Sequence, residues 1–358
     1  MDKKYIISGI QQAGVGVRNV HEAWKWYRQF FGADVRVFED SAEANLMLPH
    51  TGGKPRQRHA ALAVNLQGGG GFEIWQYTCR TPQPADFEIQ AGDLGIFSIK
   101  IKCKNLEETH AFYKQNGQKV TAIGKCGDGS SAFYIYDPDG NIFQMVESNN
   151  WFKNEKKQTG LVYGAVVGVS NIEKALVVYS DILGYDQVVY DQTGQFNDLK
   201  ELAGGTSTFR RVLLTHSQPR KGPFSKMFGN SYIELLEVKD RSPRTIYENR
   251  LWGDLGFIHL CFDISNMANL REYVASKGHA FTVDSERGLD GKIFDMGEAS
   301  GSFSYIADPD GTLIEFVETH KVPIAKKFGL YLNLSKRDPE KPLPNFIVKA
   351  LGLNRVKF

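Results

Sequence analysis

The sequence predicts an α+β fold built from four copies of one βαβββ unit, and three observations carry that expectation. Four segments share one grammar of strand, Asn, amphipathic helix and Gly: "GVGVRNVHEAWKWYRQFFG", "IKIKCKNLEETHAFYKQNG", "VVGVSNIEKALVVYSDILG" and "CFDISNMANLREYVASKG". Each is followed by short alternating strands broken by Gly, Pro, Asn or Asp. The turn DPDG recurs in the second and fourth copies, within "YIYDPDGNIFQM" and "YIADPDGTLIEF". Repetition on this scale decides the architecture before any single motif does.

In the first unit Asn19 stands at the helix N-cap, where its side chain can accept from the first free helical N–H groups. Glu22, three residues on, completes the pattern of a capping box, and Trp24, Tyr27 and Phe31 form an apolar stripe at helical spacing. Gly32 follows the last turn, where a left-handed C-cap is wanted. A long insertion, "SAEANLMLPHTGGKPRQRHA", precedes a glycine run, Gly68 to Gly71. No GK[ST] follows that run and no helix begins there, so it reads as a flexible hairpin rather than a phosphate loop.

The second unit repeats the scheme with Asn105, Glu108 and Gly117, the third with Asn171 and Gly184, the fourth with Asn266 and Gly278. Asn and Gly are 13, 12, 13 and 12 residues apart, about three and a half helical turns each time. In the third helix Ile172, Leu176, Tyr179 and Leu183 form the stripe, read as core rather than cofactor contacts. Where the even units carry DPDG, the odd ones carry "LQGGGGFEIW" and "MFGNSYIELLEV".

At 358 residues the chain is too long for one ordinary core, and the boundaries drawn are 1–155, 156–320 and a C-terminal arm, 321–358. The arm holds nine Lys or Arg against Asp338 and Glu340, within a chain of net charge +2. Its prolines Pro339, Pro342 and Pro344 and the apolar "NFIVKALGL" suggest an extended strap ending in a short docked helix. That small net charge argues against nucleic acid as the main partner. No apolar run approaches the roughly 20 residues a membrane helix needs. The start, "MDKKYIISGI", lacks a signal-peptide pattern, and a cytoplasmic protein is expected. Cys79, Cys103, Cys126 and Cys261 form no CxxC pair and read as reduced thiols.

The Asn-capped helix starts and the "DPDG-x-x-x-E/Q" hairpins resemble the vicinal oxygen chelate superfamily, over roughly residues 8 to 320. That superfamily includes glyoxalase I, bleomycin resistance proteins and extradiol dioxygenases. The resemblance implies that two βαβββ units form one cup-shaped mixed sheet, so four units make two cups. It also implies four ligand positions per cup, one in the first and one in the last strand of each unit. Pairing consecutive units gives Gln12, Glu73, Ser98 and Gln144 in the N-terminal cup, and Gly164, Glu234, His259 and Glu315 in the C-terminal cup.

Two carboxylates and an imidazole, Glu234, His259 and Glu315, suit a divalent Fe, Mn, Ni, Co or Zn ion. The N-terminal set has one carboxylate and no imidazole, and reads as a degenerate site. His259 could instead be a core histidine satisfied by a backbone carbonyl, and Glu315 a solvent-facing strand residue. Glu237 and Glu318 read as plain surface acids, His21 as a surface residue, and His59 as a candidate to line a cup. Gly164 departs from the superfamily's pattern, because glycine cannot ligate and a dioxygenase expects histidine there.

The resemblance implies a metal-dependent lyase or isomerase, acting on a small substrate with adjacent oxygens and using Glu315 as proton shuttle. An extradiol-type dioxygenase and a non-catalytic protein that sequesters a flat ligand are the alternatives. The expected partner is a small molecule, with the chain a monomer or homodimer.

Overall fold

The computed structural model describes residues 3–288, 294–295, 300–325 and 329–356. Unit one comprises β1 (Ile6–Gly16), α1 (Val20–Phe31), β2 (Val35–Glu43), β3 (Gln57–Val64) and β4 (Gly71–Tyr77). Unit two comprises β5 (Gly95–Cys103), α2 (Leu106–Gln115), the short β6 (Gly124–Lys125), β7 (Ser131–Tyr136) and β8 (Ile142–Glu147). Unit three has β9 (Thr159–Gly168), α3 (Ile172–Leu176), β10 (Gln187–Gly194), β11 (Phe209–Thr215), a short α4 (Ser225–Phe228) and β12 (Tyr232–Val238). Unit four has β13 (Gly256–Ser265), α5 (Met267–Ser276), β14 (Val283–Asp284), α6 (Ser285–Gly288), β15 (Phe294–Asp295), β16 (Ser300–Ala307) and β17 (Leu313–Ala325). The arm adds β18 (Leu330–Asn333) and α7 (Asn345–Ala350).

The four helix ends form as their residues require. Asn19, Asn105, Asn171 and Asn266 each accept a backbone N–H of the first turn. The last strands contribute as well: Gln76, Glu147 and Glu318 accept the N–H groups of Val20, Leu106 and Met267. Glu318 is therefore a helix cap rather than a plain surface acid. The reciprocal bonds expected from Glu22 and Glu108 are not among the hydrogen bonds of the described residues. Gly32, Gly117, Gly184 and Gly278 all adopt positive φ, the conformation that favours glycine. The third helix differs in continuing as wide π-type turns over Val177–Ile182, where the Leu183 N–H bonds back to the Val178 carbonyl.

The strands form two sheets. One runs β14-β16-β17-β13-β1-β4-β3-β2, with β15 on β16 and β18 on β17; the other runs β10-β11-β12-β9-β5-β8-β7-β6. Unit one thus joins unit four through β1 and β13, while unit two joins unit three through β5 and β9, both antiparallel. The cups expected from consecutive units, and the division at 155/156, do not describe this arrangement.

The pairing has a steric basis. A Cβ on Gly16 would lie 1.9 Å from the Asp254 carbonyl oxygen, and one on Gly168 would lie 1.9 Å from that of Asp93. A glycine of units one and three therefore accepts the backbone of the Gly-Asp-Leu-Gly segment that opens units four and two. Consecutive units touch elsewhere, through helix and turn. Tyr27 of α1 donates to Asp137 at 2.6 Å, and the Tyr179 hydroxyl to Asp308 at 2.9 Å, so each DPDG turn is tied to the preceding unit's helix.

The apolar stripes of α1, α2, α3 and α5 merge with the backs of both sheets into one buried cluster. Each large side chain sunk there, such as Phe31 or Tyr113, contributes about 2 kcal/mol of burial. The glycine run is also part of the interior. Cβ atoms on Gly69 and Gly70 would lie within 3 Å of backbone at Leu161–Val162 and Ile10, so the segment is a close crossing between the sheets and not a flexible hairpin. The arm docks by Leu334, Leu343, Val348 and Leu351 against Val35, Val64 and Phe228. Lys326, Lys327 and Lys357 of that arm lie outside the described residues. No helix among the described residues is long and apolar enough to cross a membrane.

Candidate metal centre

Strand register decides which side chains share a cup. On β1, Gly14 lies opposite Glu73 of β4 and opposite His259 of β13. Gln12 lies opposite Cys261, which in turn is opposite Glu315 of β17. Gly14 leaves room for the imidazole, because a Cβ there would sit 2.4 Å from the His259 ring. Gln12, Glu73, His259 and Glu315 therefore converge in the cup of the outer units. Gln12 and Glu73, expected in a degenerate site, join the two residues expected in the other set.

The geometry is that of a candidate cation site. His259 Nε2 lies 3.0 Å from Glu315 Oε2 and 3.3 Å from Glu73 Oε2. Neither contact has the direction of an N–H···O bond, so this buried nitrogen is left without a hydrogen-bond partner, as is Gln12 Oε1. The Gln12 amide nitrogen donates to Glu73 at 3.2 Å and to Glu315 at 3.4 Å; a half-turn of the amide presents its oxygen to the same point. Ligand atoms of Glu73, His259 and Glu315 all lie within 4.8 Å of one another. Burial alone would lower the His259 pKa, but the charge of Glu315 and its contacts with both glutamates push it up to about 9. Two carboxylates around an imidazole leave net negative charge, which a cation held there would offset.

Groups beyond these four hold them in place. Tyr305, opposite Glu315 across β16–β17, donates its hydroxyl to Oε1 at 2.8 Å. Burial would raise the Glu315 carboxyl, while His259, Tyr305 and Cys261 more than offset this and keep it below the usual range. The Trp252 ring lies parallel to the imidazole, 13° between planes and 6.2 Å between centres. Above them opens a cavity of about 290 Å³, lined by Gln12, Glu73 and Glu315 at one end. Its walls are largely apolar: Phe38, Leu62, Trp75, Trp252, Phe228 and, from the arm, Leu351.

Glu234, expected as a ligand, lies in the other cup. There Lys100 Nζ meets Glu234 at 2.6 Å and also contacts Gln144, while Arg211 bridges Glu234 and Asp198. Tyr190 donates to Glu234 at 2.7 Å. Burial would raise the Glu234 carboxyl, yet Arg211 and Lys100 hold it well below the usual range. Ser98 and Gly164 sit at the remaining positions; a Cβ on Gly164 would lie 2.0 Å from the Tyr232 carbonyl oxygen. Leu199 and Leu202 are packed among the walls of this cup.

Sequence reasoning missed Tyr305, although both hairpins carried the signal. Tyr134 and Tyr305 occupy the same place in the two DPDG hairpins, and Tyr134 accepts from Gln144 at 2.9 Å as Tyr305 donates to Glu315. Lys100 and Arg211 had no motif to mark them. His59, expected to line a cup, turns toward His21 of α1 behind the sheet.

The family model for the Glyoxalase/Bleomycin resistance protein/Dioxygenase superfamily matches residues 9–145 and 163–316. Among solved structures, glyoxalase I from Zea mays is 14% identical with a TM-score of 0.53, covering 87% of this chain and 92% of its own. A putative dioxygenase from Bacillus subtilis is 13% identical with a TM-score of 0.53, covering 87% and 86%. At these identities the likeness speaks to the fold alone. Comparison with curated proteins returned no significant match. The chain, with four units paired into two cups, belongs to the Glyoxalase/Bleomycin resistance protein/Dioxygenase superfamily.

Proposed function

We propose that the protein is a divalent-metal enzyme of lyase or isomerase type, acting on a small molecule that carries two adjacent oxygens on an apolar body. The observation that supports it best is the convergence of Gln12, Glu73, His259 and Glu315 at the end of an apolar cavity. The donor set fits a first-row divalent ion, with imidazole nitrogen, two carboxylate oxygens and an amide oxygen available. Bound there, such an ion would supply Lewis-acid stabilisation of negative charge on a substrate oxygen.

The chain's own residues do the rest. Glu315 accepts a proton from the carbon beside the substrate oxygens, on the oxygen that Tyr305 does not hold, and returns it to a neighbouring atom. Tyr305 fixes the carboxylate's orientation through Oε1, which leaves Oε2, beside His259 and the Gln12 amide, as the oxygen that turns to the substrate's proton. Trp75, Trp252, Phe38 and Leu62 grip the apolar body and exclude water, which strengthens every charge interaction within the cup. Gly164 no longer weakens the ligand set, because Gln12 is the first-strand residue of this cup.

Proton transfer is tested with a panel of α-hydroxyketones bearing aryl or alkyl groups, in heavy water, followed by NMR. Metal-loaded protein is expected to incorporate deuterium at the carbon next to the carbonyl, and Glu315→Gln to lose that exchange while still binding. Panel members that bind without exchange in the wild type would overturn this reading and favour sequestration.

A further inference from the structure

A second group of potential ligands lies outside the cup, on the helix side of the same sheet. His21 of α1, Glu39 of β2 and His59 of β3 bring one ligand atom each within 4.8 Å of the others. Glu39 Oε1 lies 3.4 Å from His59 Nε2 and 3.7 Å from His21 Nδ1. The two imidazole rings are 5.3 Å apart between centres. Register explains the meeting: β2 and β3 are antiparallel, with Ser41 opposite His59, and Glu39 falls on the same face as Ser41 two residues away.

The groups behind these ligand atoms are already arranged. Ser41 Oγ sits 2.8 Å from His59 Nδ1, which fixes the ring and leaves Nε2 facing Glu39. That Nε2 is buried and has no hydrogen-bond partner. Arg36 donates to the other carboxylate oxygen, Oε2, at 3.0 Å, which turns Oε1 toward the imidazoles. Imidazole oriented through its second nitrogen and carboxylate oriented through its second oxygen are the supports that metal ligands ordinarily have.

We propose that His21, Glu39 and His59 form a second, surface site for a transition-metal dication such as Zn(II), Ni(II) or Cu(II). Two imidazole nitrogens and one carboxylate oxygen favour these ions over Mg(II) or Ca(II), which prefer oxygen ligands alone. Three protein ligands leave a position for water. An ion here ties the first turn of α1 to β2 and β3. Phe38 and Arg58, alternating with the ligands on those strands, line the cavity on the opposite face, so the ion stiffens one cavity wall. The site stands independently of any metal in the cup.

The test is a Zn(II) titration, by calorimetry and equilibrium dialysis, of the full chain after removal of metal with chelator. His21→Ala is expected to bind one Zn(II) fewer per chain than the wild type, whatever the wild-type total. The His21 side chain is 66% exposed, so this substitution leaves the fold intact. His59→Ala is expected to lose the same ion, and Ser41→Ala to weaken it about 10- to 100-fold through loss of the ring's anchor. Unchanged stoichiometry and affinity in His21→Ala would overturn the proposal.

Discussion

Position by position, the outer-unit cup holds Gln12, Glu73, His259 and Glu315 where the inner-unit cup holds Gly164, Glu234, Ser98 and Gln144. The decisive difference lies one step away. Cys261, opposite Glu315, corresponds to Lys100, opposite Gln144. In the inner cup that ammonium, together with Arg211, balances Glu234 and Asp198 within the protein. The outer cup sets two carboxylates against the His259 imidazole alone, with no lysine or arginine paired to them among the described residues, and a bound metal ion would balance the charge that remains. A repeated fold can therefore keep an acidic centre in both halves and remain open to a metal in only one.

The comparison breaks most visibly at Lys100. Lys100→Met removes one of the two cations that balance Glu234 and Asp198, leaving Arg211 alone against two buried carboxylates, and should cost about 3–5 kcal/mol in urea unfolding. In the outer cup Glu73→Gln removes one of two facing carboxylates, and the metal-free protein should lose no comparable stability. Equal losses at both sites would show that the cups are not electrostatically different.

Next in size is a pH effect confined to the metal-free protein. His259 is raised in the fold to about 9 from an ordinary 6.5, so protonation stabilises the folded state. That contribution is complete below about 6.5, is lost as pH rises through about 9, and amounts to about 3 kcal/mol. Denaturant midpoints measured across this window should fall for the wild type and stay flatter for His259→Gln.

Metal itself sharpens the contrast. At a free ion concentration 100 times the dissociation constant, the cup site should stabilise the fold by about 2.7 kcal/mol. Cys261→Lys, which places an ammonium where the inner cup has one, should abolish that gain. The smallest expected effect is at Tyr305. Tyr305→Phe removes one hydrogen bond to Glu315 and should cost about 1 kcal/mol of stability, with weaker metal binding by calorimetry.

Much of this was legible in the chain. Helix ends are local chemistry, so Asn19, Asn105, Asn171 and Asn266 announced themselves, as did the four positive-φ glycines. Each ligand position could also be counted from its own helix cap or final turn. Cup membership could not be counted in this way. Units one and three end their first strand in Gly16 and Gly168, and units two and four open with Gly92-Asp93-Leu94-Gly95 and Gly253-Asp254-Leu255-Gly256. These segments fit odd units to even ones, a rule that consecutive pairing and the observed pairing of outer with outer and inner with inner satisfy equally. Only the long-range contact of β1 with β13 separates the two, and it placed Gln12 and Glu73 beside His259 while removing Glu234. Lys100 was illegible for a related reason, since a lysine in "IKIKCKN" looks solvent-facing until β9 covers it.

The central claim is that the outer cup takes up a divalent ion while the inner cup supplies its own charge. An anomalous difference map from crystals of cobalt-loaded protein tests this most directly. The account predicts a peak about 2.0–2.2 Å from Glu73, His259 and Glu315, and none beside Glu234. A peak at Glu234, or an outer cup without cobalt at saturating concentration, would contradict it.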